Sequence, residues 1–327
     1  MRPRRGPVDL AMRVGSVRLP NPVMTASGTA GHGAELGELI DLAALGAVVV
    51  KSLAPFVDLA ALGAVVVKSM APYAWSGNPP PRLHAVTAGM VNSVGLQGAG
   101  AAAWLRDDLP RLAARHARVV ASIWGRTVDD YAEAASLLAG APGVVAVEAN
   151  LSCPNIEGKG MFAQSADATH DVVAACSAAR LPVWAKLTAV VSDLVEVASA
   201  AVAGGADAVT LINTVPGLVI DVEHRRRALG GAGGGLSGAA IHPVAVRAVH
   251  DVHAGCPDVA IVGVGGVTDA VTAVELLLAG ASAVQVGTAT FADPRAPARV
   301  LADLADWCRG HDVARVADLV GGAHGNA

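Results

Sequence analysis

Val144-Val145-Ala146-Val147-Glu148-Ala149-Asn150-Leu151-Ser152-Cys153-Pro154-Asn155 opens as an apolar run and closes on a polar sextet. An apolar run of this length reads as a buried parallel strand, so Asn150 to Asn155 mark where the chain leaves the sheet. Barrels of parallel strands keep their chemistry at that end. Two asparagines can form several hydrogen bonds with a flat polar ligand, a thiol can move a proton, and Pro154 stiffens the turn that presents them. A lone cysteine is more often a small buried hydrophobe, and a lone asparagine a turn former. Together at a strand exit they point to a site.

Outward from this stretch the chain alternates. Residues 10–14 and 16–19 read as a short strand pair, 22–26 as a core strand ending in Ser27-Gly28-Thr29, and a helix is predicted from about residue 34 until Gly46 ends it before a second strand. After residue 100 come helix 100–116, strand 118–124, helix 128–139, strand 144–150, helix 167–179, strand 183–187 and helix 192–203. Strand 208–213, an insertion at 215–238, helix 241–254, strand 259–263, helix 269–279, strand 283–287 and helix 296–308 complete the series. Alternating elements with short connections imply a parallel sheet, and two strands before residue 70 bring the count to eight. The expected fold is a (β/α)8 TIM barrel with a short N-terminal strand pair and top-face loop insertions, one domain over 1–327. With 53% hydrophobic residues, Ala/Val packing can fill its core despite 3% aromatics.

One passage breaks the rhythm. Asp41-Leu42-Ala43-Ala44-Leu45-Gly46-Ala47-Val48-Val49-Val50-Lys51-Ser52 returns with a shift of 17 residues as Asp58 to Ser69, and the match extends to Ala54-Pro55 and Ala71-Pro72. Two short copies indicate a local tandem duplication, 41–55 and 58–72, and not a solenoid. One of Lys51 and Lys68 is expected at the second strand end. The downstream loop favours Lys68, with the surplus residues absorbed as a helix–loop segment ahead of the strand, because exposed apolar chain would cost ~25 cal/mol per Å². That loop starts at Gly77-Asn78-Pro79-Pro80-Pro81-Arg82, where serial prolines exclude helix and inner strand. It runs on through Gly89 to Leu96, and a loop this long is usually a lid or a binding segment.

The strand ends are Ser27, Lys68, Ser122, Asn150, Lys186, Asn213-Thr214, Gly265-Gly266 and Gly287-Thr288. Packing alone would favour apolar residues there, so polar and glycine residues at nearly every exit describe one top-face site. The glycine turns after the last two strands suit a phosphate.

Composition excludes several classes. A formal charge of −4, with no basic block longer than Arg225-Arg226-Arg227, gives no footprint for nucleic acid. The basic start lacks a continuous apolar segment, and the apolar run 276–292 is short and carries Gly280, Gln285 and Gly287. No membrane span is therefore expected, and the chain reads as cytoplasmic. Cysteines at 153, 176, 256 and 308 are too dispersed for zinc or iron–sulfur ligation, so no metal is expected in this chain. Cys176 and Cys308 fall in helical patterns as packing residues, and Cys256 sits in a turn with no evident partner. Lys51, Lys68, Lys159 and Lys186 are the only lysines among 24 Lys and Arg, and three of them end apolar runs where a compact ammonium would be selected over guanidinium.

Taken together, Ala26-Ser27-Gly28, Lys68-Ser69, Gly77-Asn78-Pro79 with Pro81-Arg82, Asn92 to Leu96, Asn150 to Asn155, Lys186, Ile212-Asn213-Thr214, Gly234 to Gly238, Gly265-Gly266 and Gly287-Thr288 resemble the soluble-class FMN-dependent dihydroorotate dehydrogenases. The similarity runs from about Val8 to Pro294 and is greatest to the catalytic subunit of the NAD-linked two-subunit type. The resemblance implies oxidation of dihydroorotate to orotate in pyrimidine biosynthesis, with hydride transfer to FMN. Cys153 would take the C5 proton, and Lys68 would hold the substrate carboxylate. Asn92, Ser93, Val94, Gly95, Leu96, Asn150, Asn155, Asn213 and Thr214 would surround the pyrimidine. Ser27, Lys68, Ser69, Ser122, Asn150, Lys186, Ile212, Gly238, Gly265, Gly266, Gly287 and Thr288 would hold FMN, Lys186 supplying charge near N1 and O2. The implied partner is an electron-transfer subunit with FAD and an iron–sulfur cluster, in a homodimer or heterotetramer.

The chain departs from that pattern at Ser122, where Asn is usual, at Ala239 in place of Pro, and in the tandem copy. A dihydropyrimidine dehydrogenase-like FMN barrel shares the Ser-Cys-Pro turn, but His would follow the proline and cysteine-rich cluster motifs would accompany it. A flavin-binding barrel inactivated by the duplication is the alternative of another class.

Overall fold

The computed structural model describes residues 6–26, 48–50, 65–113, 119–151, 160–293 and 295–325. Its main sheet is parallel, in the order Val23–Thr25, Ala283–Val286, Ala260–Val264, Ala208–Leu211, Val183–Lys186, Val144–Asn150, Val119–Ile123, Val65–Met70 and Val48–Val50. The two end strands lie against each other, so the sheet curls round as a TIM barrel. Helices alternate with the strands, close to the limits read from the sequence. Thr127, Ser165, Asp193 and Asp269 cap four of them by accepting a backbone N–H of the first turn. Helix 100–116 is broken where Pro110 follows: Ala101–Asp107 and Leu109–Ala113 are separate among the described residues.

Residues alternate across the barrel wall. The lower interior is apolar: Met24, Val120, Ala146, Trp184 and Val262 pack there against Val14, Val17 and Leu19. These last three belong to the antiparallel pair Met12–Val14 and Val17–Leu19, which closes the bottom of the barrel. Burying each such Val or Leu contributes roughly 1.5–3 kcal/mol. The outer faces of the strands meet the helices in a second apolar core that includes Ile123, Val147, Leu211 and Leu276.

Two expectations need correction. Eight strands were expected, with one copy of the duplication outside the sheet, yet nine stand in it among the described residues. Val48–Val50 pairs in parallel with Val65–Val67, Val48 opposite Val65 and Val50 opposite Val67. The burial argument that brings one valine triplet into the sheet applies equally to its duplicate, and residues 51–64 are long enough for a parallel crossover. The expected helix–loop segment before Val65 lies outside the described residues. The strand of the second copy runs to Met70 and pairs with Val119–Ile123 on its other side.

The other correction concerns the insertions. Residues 77–82 are irregular, as their prolines require, but Leu83–Val86 and Gly89–Asn92 form a hairpin. Gly234–Ser237 and Val215–Gly217 join it in a four-stranded antiparallel sheet. Short strands rich in glycine carry little strand signal. Glycine is nonetheless required: a Cβ on Gly89 would sit 2.1 Å from the Ser237 carbonyl oxygen.

Candidate active site

The strand Val144–Asn150 sends Glu148 and Asn150 to the interior, two residues apart on one face. Register places Ser122 opposite Glu148, and Lys186 opposite both Asn150 and Thr210. None of these five is more than 8% exposed. Buried polar groups need partners. Ser122 Oγ donates to Glu148 Oε1 at 3.2 Å, and Thr210 Oγ1 donates to Glu148 Oε2 at 3.3 Å. Ser69 and Ser122 hydroxyls lie 2.9 Å apart, and Asn150 Nδ2 donates to Ser69 Oγ at 3.0 Å. Tyr131, buried on the neighbouring helix, donates its hydroxyl to the Asn150 carbonyl at 2.7 Å and fixes the strand end from behind. The half-buried Lys68 precedes Ser69 on the adjacent strand.

The antiparallel sheet supplies the opposite wall. Asn92 pairs with Gly235 and donates Nδ2 to its carbonyl at 3.1 Å. A Cβ on Gly235 would meet Thr214 Oγ1 at 2.0 Å, so glycine lets this strand close on the exit after Leu211. There Asn213 Nδ2 reaches Asn150 Oδ1 at 3.5 Å, and Asn213 Oδ1 accepts from Thr214 N at 2.8 Å. Ser93, Val94, Gly95 and Leu96 form the turn after Asn92. Asn78 grips it, Nδ2 donating to Ser93 Oγ at 3.0 Å and backbone N–H to Val94 O at 3.1 Å. Trp75 Nε1 donates to Gly95 O at 2.9 Å, and Arg82 ties the approach by donating to Asn78 O at 2.6 Å. Ser93 is fully buried, so its hydroxyl anchors the turn.

The last strands end without side chains. Gly238, Gly265 and Gly266 all have positive φ, and a Cβ on Gly266 would lie 2.6 Å from His242 Cβ and 3.0 Å from Gly238 O. Three backbone segments can converge there only as glycine. His242 donates from Nδ1 to Gly265 O at 2.8 Å and joins Glu275 through Nε2 at 3.0 Å, fixing the turn. Thr288 Oγ1 donates to Ser237 Oγ at 2.8 Å, which ties the exit at Gly287-Thr288 to the segment before Gly238.

Of the residues predicted for the site, Ser27, Cys153 and Asn155 lie outside the described residues. Lys68, Ser69, Ser122, Asn150, Lys186, Ile212, Asn213 and Thr214 stand at the barrel's C-terminal end, with Asn92 on the sheet above. Ser122, expected to face the cofactor, is fully buried and bonded to Ser69 and Glu148. Glu148 and Thr210 escaped the sequence reading, although a glutamate inside an otherwise apolar strand was the available signal. Cys176 and Cys308 are fully buried packing residues, and burial pushes the Cys176 thiol up to about 12. Cys256 does have a neighbour: its sulfur lies 3.2 Å from Ser199 Oγ. Among the described residues no helix is long and apolar enough to cross a membrane.

A family model described as dihydroorotate dehydrogenase matches residues 52–307, taking in the second copy of the duplication whole. Among curated proteins, the chain is 45% identical over 319 residues to the dihydroorotate dehydrogenase B (NAD(+)) catalytic subunit of Desulforudis audaxviator, covering 97% of this chain and 98% of that protein. It is 42% identical over 315 residues to the protein of the same name from Alkaliphilus oremlandii, with 96% and 98% covered. The Geobacter sulfurreducens protein of that name shares 40% identity over 315 residues, with 96% and 97% covered. Fold, exits and matches agree, and the chain belongs to the dihydroorotate dehydrogenase family.

Proposed function

We propose that this chain is the catalytic subunit of an NAD-linked dihydroorotate dehydrogenase, a single domain over 1–327 that works with FMN in the cytoplasm. The family consists of flavin-dependent oxidoreductases that convert dihydroorotate to orotate for pyrimidine biosynthesis. The observation that carries the reading is the meeting of Asn150, Lys186 and Asn213 with the glycine turn at Gly265-Gly266 on one end of the barrel.

The residues present fit FMN. Gly238, Gly265, Gly266, Gly287 and Thr288 offer bare backbone and one hydroxyl, which suits a phosphate. Lys186, buried to 8% exposure, would set a positive charge at the pyrimidine edge of the ring system, where reduction gathers negative charge. Ser27, Ser69 and Ile212 would border the ring. When bound, FMN supplies the two-electron acceptor for the hydride that leaves C6 of dihydroorotate.

The chain's own residues do the rest. Lys68 pairs with the substrate carboxylate. Asn92, Asn150, Asn155 and Asn213, with Thr214, match the donors and acceptors of the ring, and the 92–96 turn excludes water from above. Cys153 takes the C5 proton, so that the C5=C6 double bond forms as both hydrogens leave. A free thiol titrates at about 8.5, so turnover rises with pH as the thiolate fraction grows. A partner subunit carrying FAD and an iron–sulfur cluster would take up the electrons, in a heterotetramer or around a homodimer of this chain. The name "catalytic subunit" borne by the relatives supports the existence of a partner subunit.

Anaerobic addition of dihydroorotate to the purified chain tests the reading. Its bound flavin should bleach, and Cys153→Ala should slow that bleaching by roughly 10²-fold or more while still binding orotate. A chain that holds FMN yet is not bleached would be an inactive flavin barrel.

A further inference from the structure

Glu148 ends the hydrogen-bond chain that holds Asn150, and the chemistry of each link sets the direction of every proton in it. An amide nitrogen can only donate, and Asn150 Nδ2 donates to Ser69 Oγ at 3.0 Å. A carboxylate can only accept, and Glu148 accepts from Ser122 Oγ and Thr210 Oγ1. A serine hydroxyl carries one proton. That of Ser122 goes to Glu148, so in the 2.9 Å contact between the two serines Ser69 is the donor. Donation therefore runs one way, from Asn150 through Ser69 and Ser122 to Glu148. Ser122 and Glu148 are 0% and 1% exposed, so solvent offers the lower links of the chain no alternative partners.

Reversing the Asn150 amide would set its Oδ1 against Ser69 Oγ, whose proton is already committed to Ser122. Two buried acceptors would then face each other, and an unmade buried hydrogen bond is costly. We propose that Glu148, acting through Ser122 and Ser69, is a positioning residue that fixes which way the Asn150 amide faces the ligand. Asn150 Oδ1 is thereby held toward Asn213 Nδ2, 3.5 Å away, and toward the ring that both would contact. The inference rests on the reading of Asn150 as a ligand contact given above. Ser122 thus joins the carboxylate below to the amide above.

A double-mutant cycle tests it, with orotate affinity read by titrating the flavin absorbance of the purified chain in its cofactor-bound form. Ser122→Ala should weaken orotate about fivefold, the effect of one net hydrogen bond, and Ser122→Thr should recover it. Glu148→Gln offers one acceptor where two hydroxyls donate, and should also weaken orotate. Neither change should have further effect once Asn150→Ala is present, because both act through that amide. Losses that add in the double variants would overturn the proposal, as would an unchanged affinity in Ser122→Ala or in Asn150→Ala. A loss of orotate affinity that merely follows a lowered melting temperature, without recovery in Ser122→Thr, would overturn it too. Bleaching of the unaltered chain by dihydroorotate reports separately on the function, so either idea can fail without the other.

Discussion

Asp41 to Ser52 and Asp58 to Ser69 are the same twelve residues in two settings. Among the described residues, Val48–Val50 of the first copy is hydrogen-bonded to one neighbouring strand. The strand Val65–Met70, which carries the end of the second copy, is hydrogen-bonded on both sides and leads into the polar network through Ser69. Intrinsic strand preference is identical, so the additional pairing of the second copy comes from what lies beside it. Val119–Ile123 gives the second copy a partner, with Val65 opposite Val119 and Met70 opposite Ile123. Ser122 gives Ser69 an acceptor. The family match, which begins at residue 52, makes the same choice of copy.

A proline placed in each strand should separate the two environments most strongly. Val66→Pro removes a ladder donor from a strand paired on both sides, and is expected to destabilise the chain by about 2–3 kcal/mol or prevent flavin retention. Val49→Pro lies on a strand paired on one side among the described residues and should cost well under half as much in a denaturant titration. Equal losses would mean that the first copy is as integral to the barrel as the second. Removing residues 41–57, which leaves a single copy running into Met70, is a gentler comparison. Orotate affinity and flavin bleaching should stay within about twofold of the full chain, since a shorter connection changes closure entropy little. A large loss would show that Val48–Val50 supports the site.

Much of the barrel was legible because each helix and strand carries its own period, and because polar residues at successive strand exits have no packing reason to be there. Asn150, Lys186 and the Gly265-Gly266 turn could be assigned to one face on that ground alone. The antiparallel sheet over the site was not legible: Gly89–Asn92 and Gly234–Ser237 are distant in sequence, and their glycines are there for close backbone approach. Glu148 was hidden for a related reason, since its value depends on Ser122 and Thr210 from two other strands. The ninth strand could not be read because two identical triplets have equal claims, and only the pairing of Val48–Val50 with Val65–Val67 shows that the sheet admits both.

The central claim is that the second copy carries the site. Single-turnover bleaching of the bound flavin by dihydroorotate, compared between Lys68→Ala and Lys51→Ala, tests it most directly. Loss of an ammonium paired with the substrate carboxylate should slow bleaching by roughly 10²-fold in Lys68→Ala, while Lys51→Ala should bleach like the unaltered chain. Rapid bleaching of Lys68→Ala together with failure of Lys51→Ala would place the first copy at the ligand and contradict the account.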